Sequence, residues 1–263
     1  MIPAPQHVAL AADLRLATET RTPVDPQRLR DRLAATDING AYDVQQVNTH
    51  HWLQAGRRGV GWKLGFTGTV IQQAYKAPGP DYGVLFADME RGNDSAIGLH
   101  EVMQPMAEAE VAVILARDIT ANQATLADVI PAIGWVVPAI EIIGSRVRSW
   151  DIRYVDAIAD NASSGLYVLG GPVRPLDGLD LVGCVMGISK NGVAAGAGEG
   201  RLCLGNPLNA VAWLARELGR RGLVLRAGEI IMTGSLGPVV KVAAGDKIVA
   251  TIAGLGSVAL SFA

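Results

Sequence analysis

From about Val8 to Arg57, apolar residues recur along the chain at helical spacing. Val8, Ala12 and Leu16 make one series and Leu29 with Leu33 another, with Pro23-Val24-Asp25-Pro26 as punctuation between two helices. A third helix is predicted from Tyr42 through Val47 to His51. After Gly59 the pattern changes to short β-branched runs separated by Gly, Pro, Asn and Asp, which reads as strands and turns. The predicted strands are Val60–Phe66, Gly83–Phe86, Glu108–Leu115, Trp135–Ile143, Tyr167–Leu169, Gly183–Ser189, Ile230–Met232 and Ile248–Ala253. Lys190-Asn191-Gly192 signals a hairpin, because Asn-Gly suits the positive φ angles of a type I′ turn. Gly196-Ala197-Gly198-Glu199-Gly200 reads as a hairpin or loop. One late helix is unusually clear: Asn206 caps it, Pro207 takes its first position, and Leu208, Val211, Ala212, Ala215 and Leu218 form one apolar face. Arg220-Arg221-Gly222 closes it. The pattern predicts an α+β chain, with a helical N-terminal region over residues 1–58 and a β-rich body over 59–263.

Composition narrows the function classes. Of 263 residues, 49% are hydrophobic and 18% charged, which excludes a disordered chain and implies a generous core. A net charge of −2 gives no reason to expect nucleic acid or an anionic membrane as partner. No apolar run approaches the roughly 20 residues that cross a bilayer, and Met1 to His7 lacks the basic and apolar regions of a signal peptide. Two cysteines without CxxC spacing, Cys184 and Cys203, cannot make a disulfide framework, so a cytoplasmic location is expected.

The chemistry concentrates in a few isolated charges. In Glu108-Ala109-Glu110-Val111-Ala112-Val113-Ile114-Leu115 the two acids sit at i and i+2, on one face of a strand and about 7 Å apart. The segment is otherwise apolar, so they repel unless one is protonated or a cation lies between them; two solvated acids at a strand end are the plain alternative. Glu141 is the only charge in Trp135–Ile143 and, if buried, must be protonated, metal-bound or paired with Arg146 or Arg148. Three glutamates on two strands form an all-oxygen set suited to Mg²⁺ or Mn²⁺. Lys63, the sole charge in Val60–Phe66, reads as a lysine of lowered pKa for proton transfer, a group for an anionic substrate, or a snorkelling edge lysine. Asp81 reads equally as an ordinary turn residue. Asp160-Asn161-Ala162-Ser163-Ser164-Gly165 caps a helix or lines a pocket, and Gly228–Pro238 is a strand opening into a Gly-rich loop whose N–H groups can face a carboxylate. No GxSxG, HExxH, Walker or GxGxxG pattern occurs.

Together, GWKLGFTG (61–68), PDYGVLFADM (80–89), EAEVAVIL (108–115), VVPAIEIIGSRVRSWDI (136–152), VDAIADNASSGLYVLGGP (155–172), LGNPLNAVAWLA (204–215) and AGEIIMTGSLGPVV (227–240) resemble the 2-keto-4-pentenoate (2-hydroxypenta-2,4-dienoate) hydratase family of the fumarylacetoacetate hydrolase superfamily. The resemblance spans essentially the whole chain. It implies a mixed β-roll or β-sandwich-like body with a helical N-terminal region, a divalent metal on Glu108, Glu110 and Glu141, catalytic roles for Lys63 and Asp81, and Ser163 and Ser235 beside the substrate. The implied reaction takes a 2-hydroxy-2,4-dienoate through its 2-oxo-3-enoate tautomer, adds water at C4 and protonates C3, giving a 4-hydroxy-2-oxo acid in meta-cleavage aromatic catabolism. It leaves open which of Lys63 and Asp81 handles the water. Homo-oligomers, and association with a pathway decarboxylase or aldolase, are also implied. The alternatives are a 4-oxalocrotonate-type 2-oxo acid decarboxylase, whose family shares the metal glutamates, and a non-catalytic oligomer partner of one.

Overall fold

The computed structural model describes residues 3–120 and 122–263; Met1 and Ile2, part of the segment read above for a signal peptide, lie outside the described residues. Three helices come first, α1 (Pro5–Thr20), α2 (Pro26–Arg30) and α3 (Ile38–Gln54). There follow β1 (Gly59–Gly65), α4 (Thr69–Tyr75), β2 (Asp81–Phe86), β3 (Glu90–Arg91), β4 (Ser95–Ile97), β5 (Met106–Leu115), α5 (Leu126–Val129) and β6 (Ile133–Ile143). The chain continues through α6 (Tyr154–Ala159), β7 (Leu166–Leu169), β8 (Val185–Lys190), β9 (Val193–Glu199), α7 (Pro207–Arg220), β10 (Ile230–Ser235), β11 (Val240–Lys241), β12 (Lys247–Ile252) and β13 (Gly256–Phe262).

Two mixed sheets organise these strands. The larger runs β2-β1-β10-β5-β6-β7-β3, with β11 also paired to β5; the smaller runs β4-β13-β12-β8-β9. The long antiparallel pair β5–β6, in register from Met106↔Ile143 to Leu115↔Ile133, forms the centre of the core. Its residues are buried on both faces, which is why these strands read as continuous apolar runs instead of alternating ones. β12 and β13 pack over β6, and α7 packs on β10. The face predicted for α7 is buried, and Asn206 caps the helix by accepting from Leu208 N at 2.9 Å. Asn191 and Gly192 take φ of 54° and 78° at the β8–β9 turn, as the Asn-Gly signal requires.

The N-terminal helices lie against the body through α3, whose Gln45 Nε2 donates to Tyr82 O at 2.8 Å and Ile158 O at 3.0 Å. The predicted face of α1 is corrected: Val8 and Leu16 are 44% and 54% exposed, while Leu10, Ala11, Leu14 and Ala17 are buried. The helix carries apolar residues on more than one face, and an i, i+4 series fits either. Of the two readings of Gly196–Gly200, hairpin or loop, the structure has the hairpin: residues 196–199 belong to the edge strand β9, paired antiparallel with β8. Their Ala and Gly residues carry no β-branched signal. By contrast, β13 alternates Val258, Leu260 and Phe262 inward and had a legible period of two that the strand list above omits.

Candidate active site

Glu108 and Glu141 stand directly opposite one another in the β5–β6 register, and Glu110 lies two residues on along the same face. The three carboxylates each offer an oxygen within 4.8 Å of the others. Glu110 and Glu141 are buried, and Glu108 is half-buried where the cluster opens to a cleft. Gly234 N donates to Glu110 Oε2 at 2.8 Å, so the amide of the Gly-rich loop does face a carboxylate, here the protein's own. Among the described residues, Glu110 Oε1 and both Glu141 oxygens have no hydrogen-bond partner. Converging, unpartnered, buried oxygens suit a hard divalent cation. Burial, and then Glu141 and Glu108, push Glu110 well above the usual carboxylate range. Burial likewise raises Glu108 and Glu141, with Lys63 opposing in both. The arginines offered as partners for Glu141 are engaged elsewhere, Arg146 with Asp160 and Arg148 with Asp25.

Lys63 is neither at an edge nor snorkelling. Its strand β1 lies between β2 and β10, and its side chain is 3% exposed. Nζ donates to Ala162 O at 2.7 Å and lies 3.3 Å from Glu141 Oε2, at ion-pair distance but not aligned as a hydrogen bond. Burial would lower its pKa, but Glu141, Asp81, Glu108 and Glu110 outweigh burial and push it up to about 12. The lowered pKa read from the sequence is therefore corrected: Lys63 is a fixed cation among four acids. Its flanking glycines are required. A Cβ on Gly61 would stand 1.9 Å from Ile230 O, and one on Gly65 would stand 2.4 Å from Asp81 Oδ1. Asp81, opposite Gly65 at the start of β2, is buried, and burial pushes it up to about 6 against the pull of Lys63. Its Oδ1 is unpartnered among the described residues.

Ser163 completes this group with a buried hydroxyl that also lacks a partner among the described residues. It ends a run of three left-handed residues, Asn161, Ala162 and Ser163, with φ of 53°, 51° and 55°. Asn161 pins the run to β2, accepting from Val84 N at 2.8 Å and donating to Val84 O at 3.0 Å. Ser235 stands apart. It pairs with Glu110 in the β10–β5 register, but its hydroxyl donates to Gly237 O at 2.9 Å and does not line the cleft. The cleft, of about 140 Å³, joins Lys63, Asp81, Glu108 and Ser163 to an apolar set that includes Phe66, Ile71, Tyr75, Met106, Trp150 and Val239. No sequence signal marked that apolar set, because it comes from five separate segments. A larger cavity of about 370 Å³ against α1 and α3 holds charges that pair with neighbours, Arg57 with Asp88 and Arg146 with Asp160.

The acids have a measurable consequence without metal. An acid whose folded pKa exceeds its unfolded value makes the native state bind more protons, so stability falls as pH rises through that window. For Asp81 the window runs from the ordinary carboxylate range to about 6, and Glu110 and Glu141 extend it upward. Protein stripped with EDTA should therefore lose melting temperature from about pH 5 to pH 7.5, and Mg²⁺ should flatten the slope. A flat or rising profile in EDTA would contradict the burial of these acids.

Residues 63–262 match the family model described as fumarylacetoacetate (FAA) hydrolase C-terminal. Over 97% of its length the chain is 48% identical to 2-keto-4-pentenoate hydratase 1 of Dechloromonas aromatica, covering 96% of that protein. The chain belongs to the 2-keto-4-pentenoate hydratase family of the fumarylacetoacetate hydrolase superfamily. A second member of this hydratase family, the TodF product hydratase of Pseudomonas putida, is 49% identical over 97% of this chain and 95% of its own length. Among solved structures, the 4-oxalocrotonate decarboxylase of Pseudomonas putida G7, complexed with magnesium and adipate, superposes with a TM-score of 0.95 at 31% identity. That match covers 100% of this chain and 99% of the decarboxylase. The hydratase-family body is thus the mixed β-roll or β-sandwich-like fold with a helical N-terminal region that the resemblance implied.

Proposed function

We propose that this chain is a divalent-metal-dependent hydro-lyase that adds water to 2-hydroxypenta-2,4-dienoate or a close homologue, giving a 4-hydroxy-2-oxo acid. The observation that carries the reading is the cluster of Glu108, Glu110 and Glu141, with oxygens of Glu110 and Glu141 lacking hydrogen-bond partners among the described residues, opening through Glu108 to the cleft lined by Lys63, Asp81 and Ser163. Mg²⁺ or Mn²⁺ held by the three glutamates would supply Lewis-acid polarisation of a 2-oxo acid. The dienol first ketonises, losing its 2-hydroxyl proton and gaining one at C5, to the 2-oxo-3-enoate, whose C3=C4 bond accepts water. Asp81, with an unpartnered oxygen and a pKa pushed up to about 6, is suited to take the proton of the water that adds at C4. Lys63 holds its proton throughout neutral pH, so it faces the negative charge that develops toward C3 and delivers the proton there. Ser163, with a free hydroxyl, orients the substrate or the water between them. The fourfold neighbourhood of acids keeps Lys63 charged, and Lys63 in turn holds Asp81 and Glu141 nearer ionisation than burial alone would allow.

Proton NMR of the product formed in D₂O tests this. A carbinol at C4 and deuterium at C3 and C5, without CO₂, are expected, together with loss of activity in EDTA and recovery with Mg²⁺ or Mn²⁺. The likeness to the decarboxylase gives a second reading its footing. Stoichiometric CO₂ from 2-oxohex-3-enedioate, with no hydration of 2-hydroxypenta-2,4-dienoate, would decide for that reading instead.

A further inference from the structure

The chain between β6 and α6 carries Trp150 to the cleft in an uncommon conformation. Ser149 and Trp150 are successive non-glycine residues with φ of 58° and 56°. One residue holds them there, its side chain bonding Ser149 and its main-chain oxygen the Trp150 indole. Gln104 Nε2 donates to Ser145 O at 2.8 Å and to Val147 O at 2.7 Å. Its Oε1 accepts from Ser149 N at 2.7 Å, and its main-chain oxygen accepts the Trp150 indole N–H at 3.0 Å. Both N–H groups of the carboxamide and its oxygen are thus committed to one loop, and Gln104 itself takes a left-handed φ of 53° to present them.

The position of this bracket matters. Gln104 lies two residues before Met106, and Met106, Glu108 and Glu110 share one face of β5. Moving along that face from the carboxylates toward Gln104, the cleft turns from acidic to apolar, and Trp150, Met106, Ile143 and Ile152 line it there. Its one cation among the described residues, Lys63, stands beside Glu141, so the apolar side holds no cation to pair with a second carboxylate.

We propose that Gln104 is a positioning residue that fixes Trp150 as the far wall of the cleft, and that Trp150 selects dienoates by their 5-substituent, accepting hydrogen or a short alkyl group. This rests on the hydratase reading and names the determinant of chain length within it. A pocket contact of one methylene discriminates by roughly 10–200-fold, so removing the wall should move the preference by about that much.

The test compares kcat/KM for 2-hydroxypenta-2,4-dienoate and its 5-alkyl homologues in wild type, Trp150→Ala, Trp150→Phe, Gln104→Ala and the Gln104→Ala/Trp150→Ala double variant. In parallel, calorimetry measures the affinity of unreactive saturated 2-oxo acids of increasing length in the presence of Mg²⁺. Trp150→Ala should shift the long-to-short ratio at least about tenfold toward long chains, with Trp150→Phe giving a smaller shift. Gln104→Ala should shift it the same way, and the double variant should match Trp150→Ala alone, because Gln104 acts through the indole. An unchanged ratio in both Trp150 variants overturns the proposal. A loss shared equally by every chain length in Gln104→Ala overturns the positioning role, since a merely structural residue would give that result. If no dienoate is hydrated by the wild type, the hydratase reading fails separately, and the 2-oxo acid affinity series still decides whether Trp150 and Gln104 set length.

Discussion

Replacing Glu110 with Gln should lower kcat/KM by about 10³-fold or more while leaving a folded protein. The carboxylate is fully buried, and the amide that replaces it can keep the bond from Gly234 N while removing one of three converging charges. A Lewis-acid site contributes several kcal/mol of charge stabilisation, and each 1.4 kcal/mol or so is tenfold in rate. The stability effect runs the other way. Without metal, burial and the neighbouring Glu141 and Glu108 hold the Glu110 pKa up, so a neutral amide whose N–H can face Glu141 Oε1 should leave the EDTA-treated melting temperature equal or higher. Wild type should gain about 2.7 kcal/mol with Mg²⁺ at a hundred times its dissociation constant, and Glu110→Gln should lose most of that gain. Thermal scans with and without Mg²⁺, beside steady-state rates, measure both effects. A variant that kept the Mg²⁺-induced shift would remove Glu110 from the metal site.

Lys63→Met should reduce kcat roughly 10²–10⁴-fold, the range for loss of a group that moves or holds a proton in the transition state. Metal affinity should not weaken. Lys63 is the sole charge in its own segment, but its Nζ stands 3.3 Å from Glu141 Oε2, where its charge opposes a bound cation. The metal-free variant should also be less stable, because removing one partner of a buried pair costs about 3–5 kcal/mol where the remaining charge cannot neutralise itself. Asp81 and Glu141 can neutralise themselves by taking up protons, so the deficit should be smaller at about pH 5 than at pH 8. Calorimetric Mn²⁺ titration and melting curves at the two pH values test this. A kcat equal to wild type would remove Lys63 from the reaction.

Much of the body was legible because buried strands carry simple signals. β5 and β6 are near-continuous apolar runs interrupted only by Glu108, Glu110 and Glu141, and an isolated acid in such a run demands a partner wherever it folds. The capping of α7 by Asn206 and Pro207, and the Asn191-Gly192 turn, are local and needed no tertiary information. The buried face of α1 was not legible, because Leu10 with Leu14 and Ala12 with Leu16 satisfy the same spacing and only the packing partner chooses between them.

The sequence by itself marked Lys63, Glu108, Glu110 and Glu141 as charges isolated in apolar segments, costly to bury unless protonated, paired or metal-bound. It also determined that Glu108 and Glu110 share a face, since strand periodicity is local. Only the tertiary structure decided who meets whom. Lys63 on β1 and Glu141 on β6 are three strand positions apart in the sheet, about 14 Å if it were flat. Their charged atoms stand 3.3 Å apart because the sheet curls and turns both side chains into one concave face. The same curl, with the Asn161–Ser163 turn and the Gln104-held loop closing over it, makes a cleft from segments that share no sequence pattern. Curvature is the sum of twist, bulges and packing over many strands, so no single segment of the sequence encodes it.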